Sequence, residues 1–228
     1  MGRLNTAAPT DELASGYAGP RDRPPFYRPH DLVYLSADAL PESAPDWAGQ
    51  VLAAGQPAVV RRALGQADSL PLGIRGSRRD QRHAILAPLA ALGLSITPEA
   101  LVSAAPAAWR VADIPALAAL GELRAIMADW PGGWGIGGAV GYELATGYAA
   151  THSESDIDVI VRAPGRPSFE ILSNLAQRLA DLSVRCDVQL ETPAGGVALA
   201  DWLGTAGQVL IKSDQGPYLA TDPWAIAA

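Results

Sequence analysis

Two aspartates separated by one residue stand at the start of an apolar, β-branched run. Asp156 and Asp158 belong to the segment Ser155-Asp-Ile-Asp-Val-Ile-Val161. Because strand side chains alternate between two faces, both carboxylates are predicted to lie on the same face. Like charges at that spacing repel, and a bound divalent cation is a common reason to keep them together. The pair therefore predicts a metal site.

Two glycines precede this pair and open a helical segment. Gly137 and Gly138 follow a short strand candidate, residues 134–136, and a helix is predicted over 139–147. Free backbone amides and the positive end of a helix dipole suit a phosphate group. Glycine turn and aspartates together predict metal-assisted transfer of a phosphorus-containing group.

A third carboxylate, Asp187, lies on the polar side of the next strand candidate, residues 183–191. If the two strands are neighbours, Asp156, Asp158 and Asp187 converge and can bind one or two Mg²⁺ ions. Asp187 is also the predicted general base for an attacking hydroxyl. Exposed aspartates at strand ends are common, so the prediction depends on the whole set.

A dinucleotide-binding site is the competing interpretation of the same glycines. Gly135-x-Gly137 resembles its fingerprint, and Asp156 lies roughly where that fold has its ribose-binding acid. The third glycine is expected at position 140, where the chain has Val140, and Asp158 is left without a role. The nucleotidyl-type interpretation is therefore favoured.

Basic side chains offer further phosphate ligands. Arginine is dense between residues 61 and 83, where a glycine-containing loop carries Arg75 and Arg78. Guanidinium groups bind phosphates in a bidentate manner, although the same residues could form a solvated surface. Lys212, the only lysine, either binds a phosphate group or is structural at a strand edge. The three histidines are expected to be structural or exposed, with His152 nearest to the aspartates.

Composition excludes several classes of protein. A formal net charge of -7 argues against a nucleic-acid-binding surface. The single cysteine, Cys186, forms no internal disulfide, and no Cys/His spacing indicates zinc. No apolar run is long enough to span a membrane, and the N-terminus has no signal-peptide core. A cytoplasmic location is expected.

The chain is predicted to have an α+β fold with two units. Residues 1–24 are expected to be disordered or loosely attached, 25–112 to form a mixed N-terminal domain, and 113–228 to form the catalytic domain. The catalytic domain is expected to have a small mixed sheet flanked by helices. In the N-terminal domain the patterns predict a strand at 58–62, a loop at 70–79 and a helix through Ile85 and Leu92 that ends at Gly93.

Helices and strands mix in the second unit as well. Further helices are predicted near 117–126, 167–181 and 197–203, and a last strand at 209–211.

The site motifs resemble those of the polymerase-β-like nucleotidyltransferase superfamily. Its mark is an apolar residue followed by Gly and then Gly or Ser, an Asp-x-Asp pair and a later third acid. Here these are Ile136-Gly137-Gly138, Asp156-Ile-Asp158 and Asp187. The 17 residues between Gly138 and Asp156 make this interval longer than is usual for the superfamily.

The wider sequence resembles one family, the phosphoribosyl-dephospho-CoA transferase (holo-acyl-carrier-protein synthase) of malonate decarboxylase. The similarity spreads over nearly all of the chain beyond residue 25. The segments that carry it are Arg28-Pro-His-Asp31-Leu, Leu70-Pro-Leu-Gly-Ile-Arg-Gly76, Gly138-Ala-Val-Gly-Tyr-Glu-Leu-Ala-Thr-Gly147, Ser155-Asp-Ile-Asp158, Asp187-Val-Gln-Leu-Glu-Thr-Pro193 and Asp222-Pro-Trp224.

This resemblance implies a Mg²⁺-dependent transferase. The phosphoribosyl-dephospho-CoA group would pass from 2′-(5″-triphosphoribosyl)-3′-dephospho-CoA to a serine of the apo acyl carrier subunit, releasing pyrophosphate. Two alternatives stay open: another nucleotidyltransferase acting on a protein or small molecule, and a catalytically silent carrier-binding module.

Overall fold

The computed structural model describes residues 27–78, 80–204 and 207–225. The predicted N-terminal extension, residues 1–24, lies outside the described residues. The strands form two separate sheets, and helices pack on the sheets. This combination confirms the predicted α+β class. The predicted division at residues 112 and 113 stays a prediction, and the strands of the first sheet lie between residues 32 and 96.

An antiparallel sheet of five strands, in the order β4-β3-β2-β1-β5, forms the N-terminal unit. Its core contains Leu70, Leu72 and Ile74, and helix α1 contributes Leu52. Short 3-10 turns occupy Ala37–Ala39 and Leu89–Ala91. The elements of this unit are β1 (Leu32–Leu35), α1 (Asp46–Ala53), β2 (Ala58–Val60), β3 (Ser69–Arg75), β4 (Arg82–Pro88) and β5 (Leu92–Ile96).

Two sequence predictions were wrong in this unit. Most of the predicted loop at 70–79 is strand β3, whose alternate residues are buried. The predicted helix ending at Gly93 is the end of β4, a 3-10 turn and β5. Ile85 and Ala87 are buried while Leu86 is exposed, which is strand alternation, and Pro88 prevents a continuous helix. Antiparallel pairing with β3 stabilises this segment as a strand, although its apolar spacing also fits a helix.

A mixed sheet of six strands, in the order β11-β10-β9-β8-β7-β6, forms the C-terminal unit. Only the β7–β8 pair is parallel among the described strands, and helix α6 (Phe169–Ala180) makes the crossover between them. The strands are β6 (Trp134–Ile136), β7 (Ile157–Arg162), β8 (Cys186–Thr192), β9 (Gly195–Ala198), β10 (Val209–Ser213) and β11 (Gly216–Ala220).

Helices cover one face of this second sheet. Ser168 caps α6 by accepting a hydrogen bond from the Ile171 amide, and three leucines of α6 are buried against the sheet. The opposite face of the sheet is polar and turns toward the N-terminal unit. The helices are α2 (Ala108–Val111), α3 (Pro115–Ala118), α4 (Leu120–Met127), α5 (Gly138–Thr146), α6 (Phe169–Ala180) and α7 (Leu199–Leu203), with a 3-10 turn at Pro98–Leu101.

Most element predictions in this unit were confirmed, and one was wrong in part. The predicted helix at 197–203 begins only at Leu199, because Gly195–Ala198 forms strand β9 between β8 and β10. The predicted helix near 117–126 is divided into α3 and α4 at Ala119. Strand β11 was not predicted.

None of the helices within the described residues is both long and apolar enough to cross a lipid bilayer.

Candidate active site

The parallel pairing of β7 and β8 brings the three predicted carboxylates to one edge of the sheet. Asp158 and Asp187 are register partners, so their side chains stand side by side on the same face. Asp156 comes directly before β7, two residues from Asp158, and the backbone amide of Ile157 donates to the Arg185 carbonyl. The local motif and its distant partner therefore form one acidic cluster.

Electrostatics in this cluster disfavour the ionised form of Asp158. Burial raises the pKa of Asp158, and the charges of Asp156 and Asp187 raise it further. The positive charges of His30, when protonated, and of Arg75 act in the opposite direction. Burial and the same aspartates raise the pKa of Cys186 to about 12, so this thiol stays protonated and is no nucleophile at neutral pH. A cation placed in the cluster would relieve the repulsion.

The guanidinium of Arg185 supplies a positive charge in the acidic cluster. Arg185 was not among the residues predicted to have a role. Its guanidinium donates to both oxygens of Asp187, with Nε–Oδ1 and Nη2–Oδ2 distances of 2.9 Å each. Asp187 raises the pKa of Arg185 most, and Asp156 and Asp158 also raise it. The signal was the Arg-x-Asp spacing, which places both side chains on one strand face.

The carboxylates match the chemistry of Mg²⁺, which prefers hard oxygen ligands. The described residues contain no group of three or more His, Cys, Asp or Glu side chains arranged to hold a metal ion. Both oxygens of Asp187 are engaged by Arg185. Asp156 and Asp158 are thus the available donors, and Asp187 would join them only after its ion pair opens.

The glycine turn fits closely around Asp158. The Gly137 amide donates to the Asp158 carbonyl oxygen at 2.8 Å. The predicted binding of a phosphate by this N–H is therefore wrong for the structure described, because the N–H is already engaged. Gly138 begins α5 with a φ of 59°, and a Cβ at this position would overlap with Asp158 Oδ2. The Asp158 carboxylate therefore lies against the start of the helix, where the helix dipole stabilises negative charge.

Gly135, the first glycine of the dinucleotide fingerprint, has another explanation. A Cβ on Gly135 would overlap with the backbone of Pro98 and Glu99, so the glycine permits close packing of the segment that connects the two units. Strand β6 also pairs antiparallel with β7, whereas the dinucleotide fold uses parallel strands there. The structure therefore excludes the dinucleotide interpretation.

The predicted basic residues occupy different surroundings. Arg75 ends β3 and affects the pKa of both Asp158 and Tyr142, so it lies near the acidic cluster. Arg78 is exposed in the β3–β4 turn and forms a bidentate pair with Asp80 at 3.0 and 2.8 Å. Lys212 lies on β10, and its Nζ donates to Gln189 Oε1 at 3.2 Å.

A polar contact surface joins the two units on the same face of the sheet as this cluster. Glu191 of β8 is buried and forms an ion pair with Arg62 of the N-terminal unit. Burial alone would raise the pKa of Glu191, but the contact with His30, when that ring is protonated, and the charge of Arg62 outweigh it and lower the pKa. Glu99 accepts from Arg162 at 2.7 Å and from Arg28 at 3.0 Å. These contacts lie toward the carboxyl ends of β7 and β8, and among residues of the N-terminal unit it is His30 and Arg75 whose charges act on Asp158.

Glu143 fixes the long interval between Gly138 and Asp156. Its buried carboxylate accepts hydrogen bonds from Arg110, from the Ala150 amide and from the amide and hydroxyl of Thr151. Burial opposes ionisation, but these bonds lower the pKa of Glu143 to about 2. Neither Glu143 nor Arg110 was among the residues predicted to have a role. Their contacts hold the loop that leads to Asp156.

Comparison with known proteins covers both units. A family model described as the phosphoribosyl-dephospho-CoA transferase MdcG C-terminal domain matches residues 100–223. The corresponding N-terminal domain model matches residues 28–98. No solved structure matches the chain.

Curated relatives with the name phosphoribosyl-dephospho-CoA transferase match over almost their whole length. The protein from Pseudomonas aeruginosa is 44% identical over 200 residues, which cover 87% of this chain and 94% of the relative. The protein from Pseudomonas syringae pv. tomato is 42% identical, with 87% and 94% covered. The protein from Azotobacter vinelandii is 42% identical, with 86% and 94% covered. The chain therefore belongs to the phosphoribosyl-dephospho-CoA transferase family.

Proposed function

We propose that this protein transfers the phosphoribosyl-dephospho-CoA group from 2′-(5″-triphosphoribosyl)-3′-dephospho-CoA to a serine of the apo acyl carrier subunit of malonate decarboxylase. The observation that carries the proposal is the match of both units to one transferase family, together with the meeting of Asp156, Asp158 and Asp187 at one sheet edge. We expect the reaction to take place in the cytoplasm.

The bond changes are those of a phosphoryl substitution. The serine oxygen forms a bond to the α-phosphorus of the triphosphate, and the bond from that phosphorus to the oxygen bridging the α- and β-phosphates breaks. Pyrophosphate leaves, and the serine proton passes to a base. Asp187 stays the proposed base, and its proton acceptance requires that the ion pair with Arg185 opens.

Asp156 and Asp158 would hold a Mg²⁺ ion, with Asp187 as the third proposed ligand. When bound, the ion would neutralise charge on the triphosphate and on the leaving pyrophosphate. The chain's own residues do the remaining tasks. Arg75 is the proposed phosphate ligand nearest the cluster, and the turn at Gly138 positions Asp158. Arg78 and Lys212 stay proposed phosphate ligands that must first leave Asp80 and Gln189.

The test is reconstitution with authentic partners. Incubating the protein with the triphosphoribosyl donor, Mg²⁺ and apo carrier should add the group to the carrier serine and release pyrophosphate, detected by intact-mass spectrometry and a coupled pyrophosphate assay. Replacing the donor with ATP, GTP, CTP or UTP should give no transfer. Pyrophosphate release from a nucleoside triphosphate, without transfer from the triphosphoribosyl donor, would refute the proposal in favour of another nucleotidyltransferase.

A further inference from the structure

His30 has an unusual backbone conformation at the border between the two units. Its φ of 78° is the only positive value for a non-glycine among the described residues. The turn is fixed by hydrogen bonds from the His30 amide to Val60 O, and from the Arg28 amide to the Asp31 side chain. Such conformations cost free energy and occur preferentially at functional sites. The fold therefore holds this side chain in a set direction.

The contacts of Gln189 determine which ring nitrogen of His30 carries the proton. Lys212 can only donate, so the Gln189 atom next to its Nζ must be the amide oxygen. The ionised Glu191 can only accept, so the Gln189 atom 2.7 Å from Glu191 Oε1 must be the amide nitrogen. Two independent contacts thus agree on the orientation of the amide.

This orientation makes His30 Nε2 an acceptor. The amide nitrogen of Gln189 lies 2.7 Å from His30 Nε2, nearer than Glu191 Oε1 at 3.4 Å, and in the neutral ring it donates its second hydrogen there. The ring proton is therefore on Nδ1. The side chain of His30 is 29% exposed, and its contacts with Gln189 and Glu191 are both made by Nε2, so Nδ1 forms no hydrogen bond within residues 27–78, 80–204 and 207–225. A fixed, accessible N–H donor results.

This donor lies beside the acidic cluster. Gln189 follows Asp187 by two residues on β8, so both side chains project from the same face. A polyphosphate next to three carboxylates needs N–H donors to offset the repulsion. The N-terminal unit supplies Arg75 as a cation and His30 as a directional donor.

We propose that His30 is a donor-binding residue, whose Nδ1–H donates to a phosphate oxygen of the triphosphate next to Asp158. This proposal rests on the proposed function, and it assigns the N-terminal unit a direct part in the active site. It also explains why a histidine occupies a position whose backbone favours glycine or asparagine.

The experiment measures binding of inorganic tripolyphosphate to the full chain by calorimetry in the presence of Mg²⁺, without the carrier. His30→Gly removes the ring and suits the left-handed backbone, so we expect a preserved melting temperature and about tenfold or more weaker binding. His30→Asn places an amide N–H near the Nδ1 position and also tolerates this backbone, so binding should stay within about threefold of wild type. His83→Gln serves as a control that should bind normally.

A second measurement needs no change at His30. In ¹⁵N-histidine-labelled wild-type protein, tripolyphosphate should shift the Nδ1 resonance of His30 while those of His83 and His152 stay in place. His83→Gln and His152→Gln provide the assignments. A folded His30→Gly that binds like wild type, an unshifted His30 resonance, or wild-type protein that does not bind tripolyphosphate would each overturn the proposal.

The binding test and the transfer test fail independently. Wild-type protein that transfers the group while His30→Gly binds tripolyphosphate normally would refute the role of His30 and leave the proposed function intact. Binding that depends on His30, in a protein that transfers nothing to the carrier, would refute the proposed function and leave the binding role intact.

Discussion

At the scale of single residues, the site depends on close contacts between a helix start and a carboxylate. Asp158 is partly buried, surrounded by like charges, and placed against Gly138 at the start of α5. The position of the Asp158 carboxylate therefore requires glycine at position 138, because a Cβ there would occupy the same space. Two predictions follow from this contact and from the charge of Asp158 itself.

Gly138→Ala should reduce transfer by about a hundredfold, because the new Cβ would displace the Asp158 carboxylate. The backbone strain at φ 59° should also cost about 1 kcal/mol of unfolding free energy or more. Gly147→Ala is the matched control, since Gly147 has a φ of 70° and open space around the added Cβ. Denaturant titration and transfer assays should show similar destabilisation in both variants, with activity lost only in Gly138→Ala. Equal activity of the two would contradict the proposed role of the contact.

Asp158→Asn should abolish transfer, with a loss of at least about a hundredfold, while stabilising the protein at neutral pH. The pKa of Asp158 is raised in the folded state, so its ionisation costs stability as the pH rises through that pKa. The difference in melting temperature between variant and wild type should therefore grow from pH 4 to pH 7. A variant that is less stable than wild type at pH 7 would show that repulsion does not dominate at this position.

At the scale of elements, the loop between α5 and β7 is positioned by a buried acid. Gly147 ends α5 in the left-handed conformation, and the following segment bonds back to Glu143. The side chains of Glu143 and Arg110 are 6% and 13% exposed, so their charges depend on each other for compensation. This anchor accommodates the long interval between the glycine turn and the aspartates.

Glu143→Gln should destabilise the protein by about 3 kcal/mol, because it leaves Arg110 without its charge partner. The folded pKa of Glu143, about 2, is below its ordinary value of 4.5, so its contribution is present above pH 4.5 and is lost as the pH falls toward 2. The pH dependence of unfolding below pH 4.5 should therefore be shallower in the variant. Arg178→Met, which removes an exposed ion pair with Asp129, should change stability by less than about 1 kcal/mol.

Element predictions succeeded where the sequence pattern and the burial agree. The leucine stripe of α6 and the apolar run of β7 were recognised because each has one period and one buried face. The segment through Ile85 and Leu92 was wrongly predicted to be a helix, because a short series of apolar residues fits the helical period of about 3.6 residues as well as the strand period of about two. Pro88 was the local signal against a helix.

At the scale of the whole molecule, the sheet that carries the acidic cluster packs its polar face against the N-terminal unit. The polar face of the second sheet carries Glu191, and the N-terminal unit places Arg62 against it. Buried charges that pair across such a border couple the two units, because separating them would leave each charge without compensation. The N-terminal unit is therefore held against the sheet that carries the acidic cluster.

Arg62→Met should destabilise the protein by about 3 kcal/mol, because Glu191 is left buried with a weaker set of partners. Glu191→Gln alone should also destabilise it, whereas the double variant should lose less than the sum of the two single losses. Calorimetric unfolding of all four proteins measures this coupling. Strictly additive losses would show that the pair does not join the units energetically.

The acid pair on one strand face, the glycine turn before it and the transferase family could all be predicted from the amino-acid sequence. These features follow from local periodicity and from short motifs. The folded structure was needed to see that Asp187 stands beside Asp158, that Arg185 binds Asp187, and that His30 of the N-terminal unit contacts Gln189. The physical reason is that strand pairing and contacts between sheets join residues far apart in the chain, and spacing along the sequence does not encode such contacts.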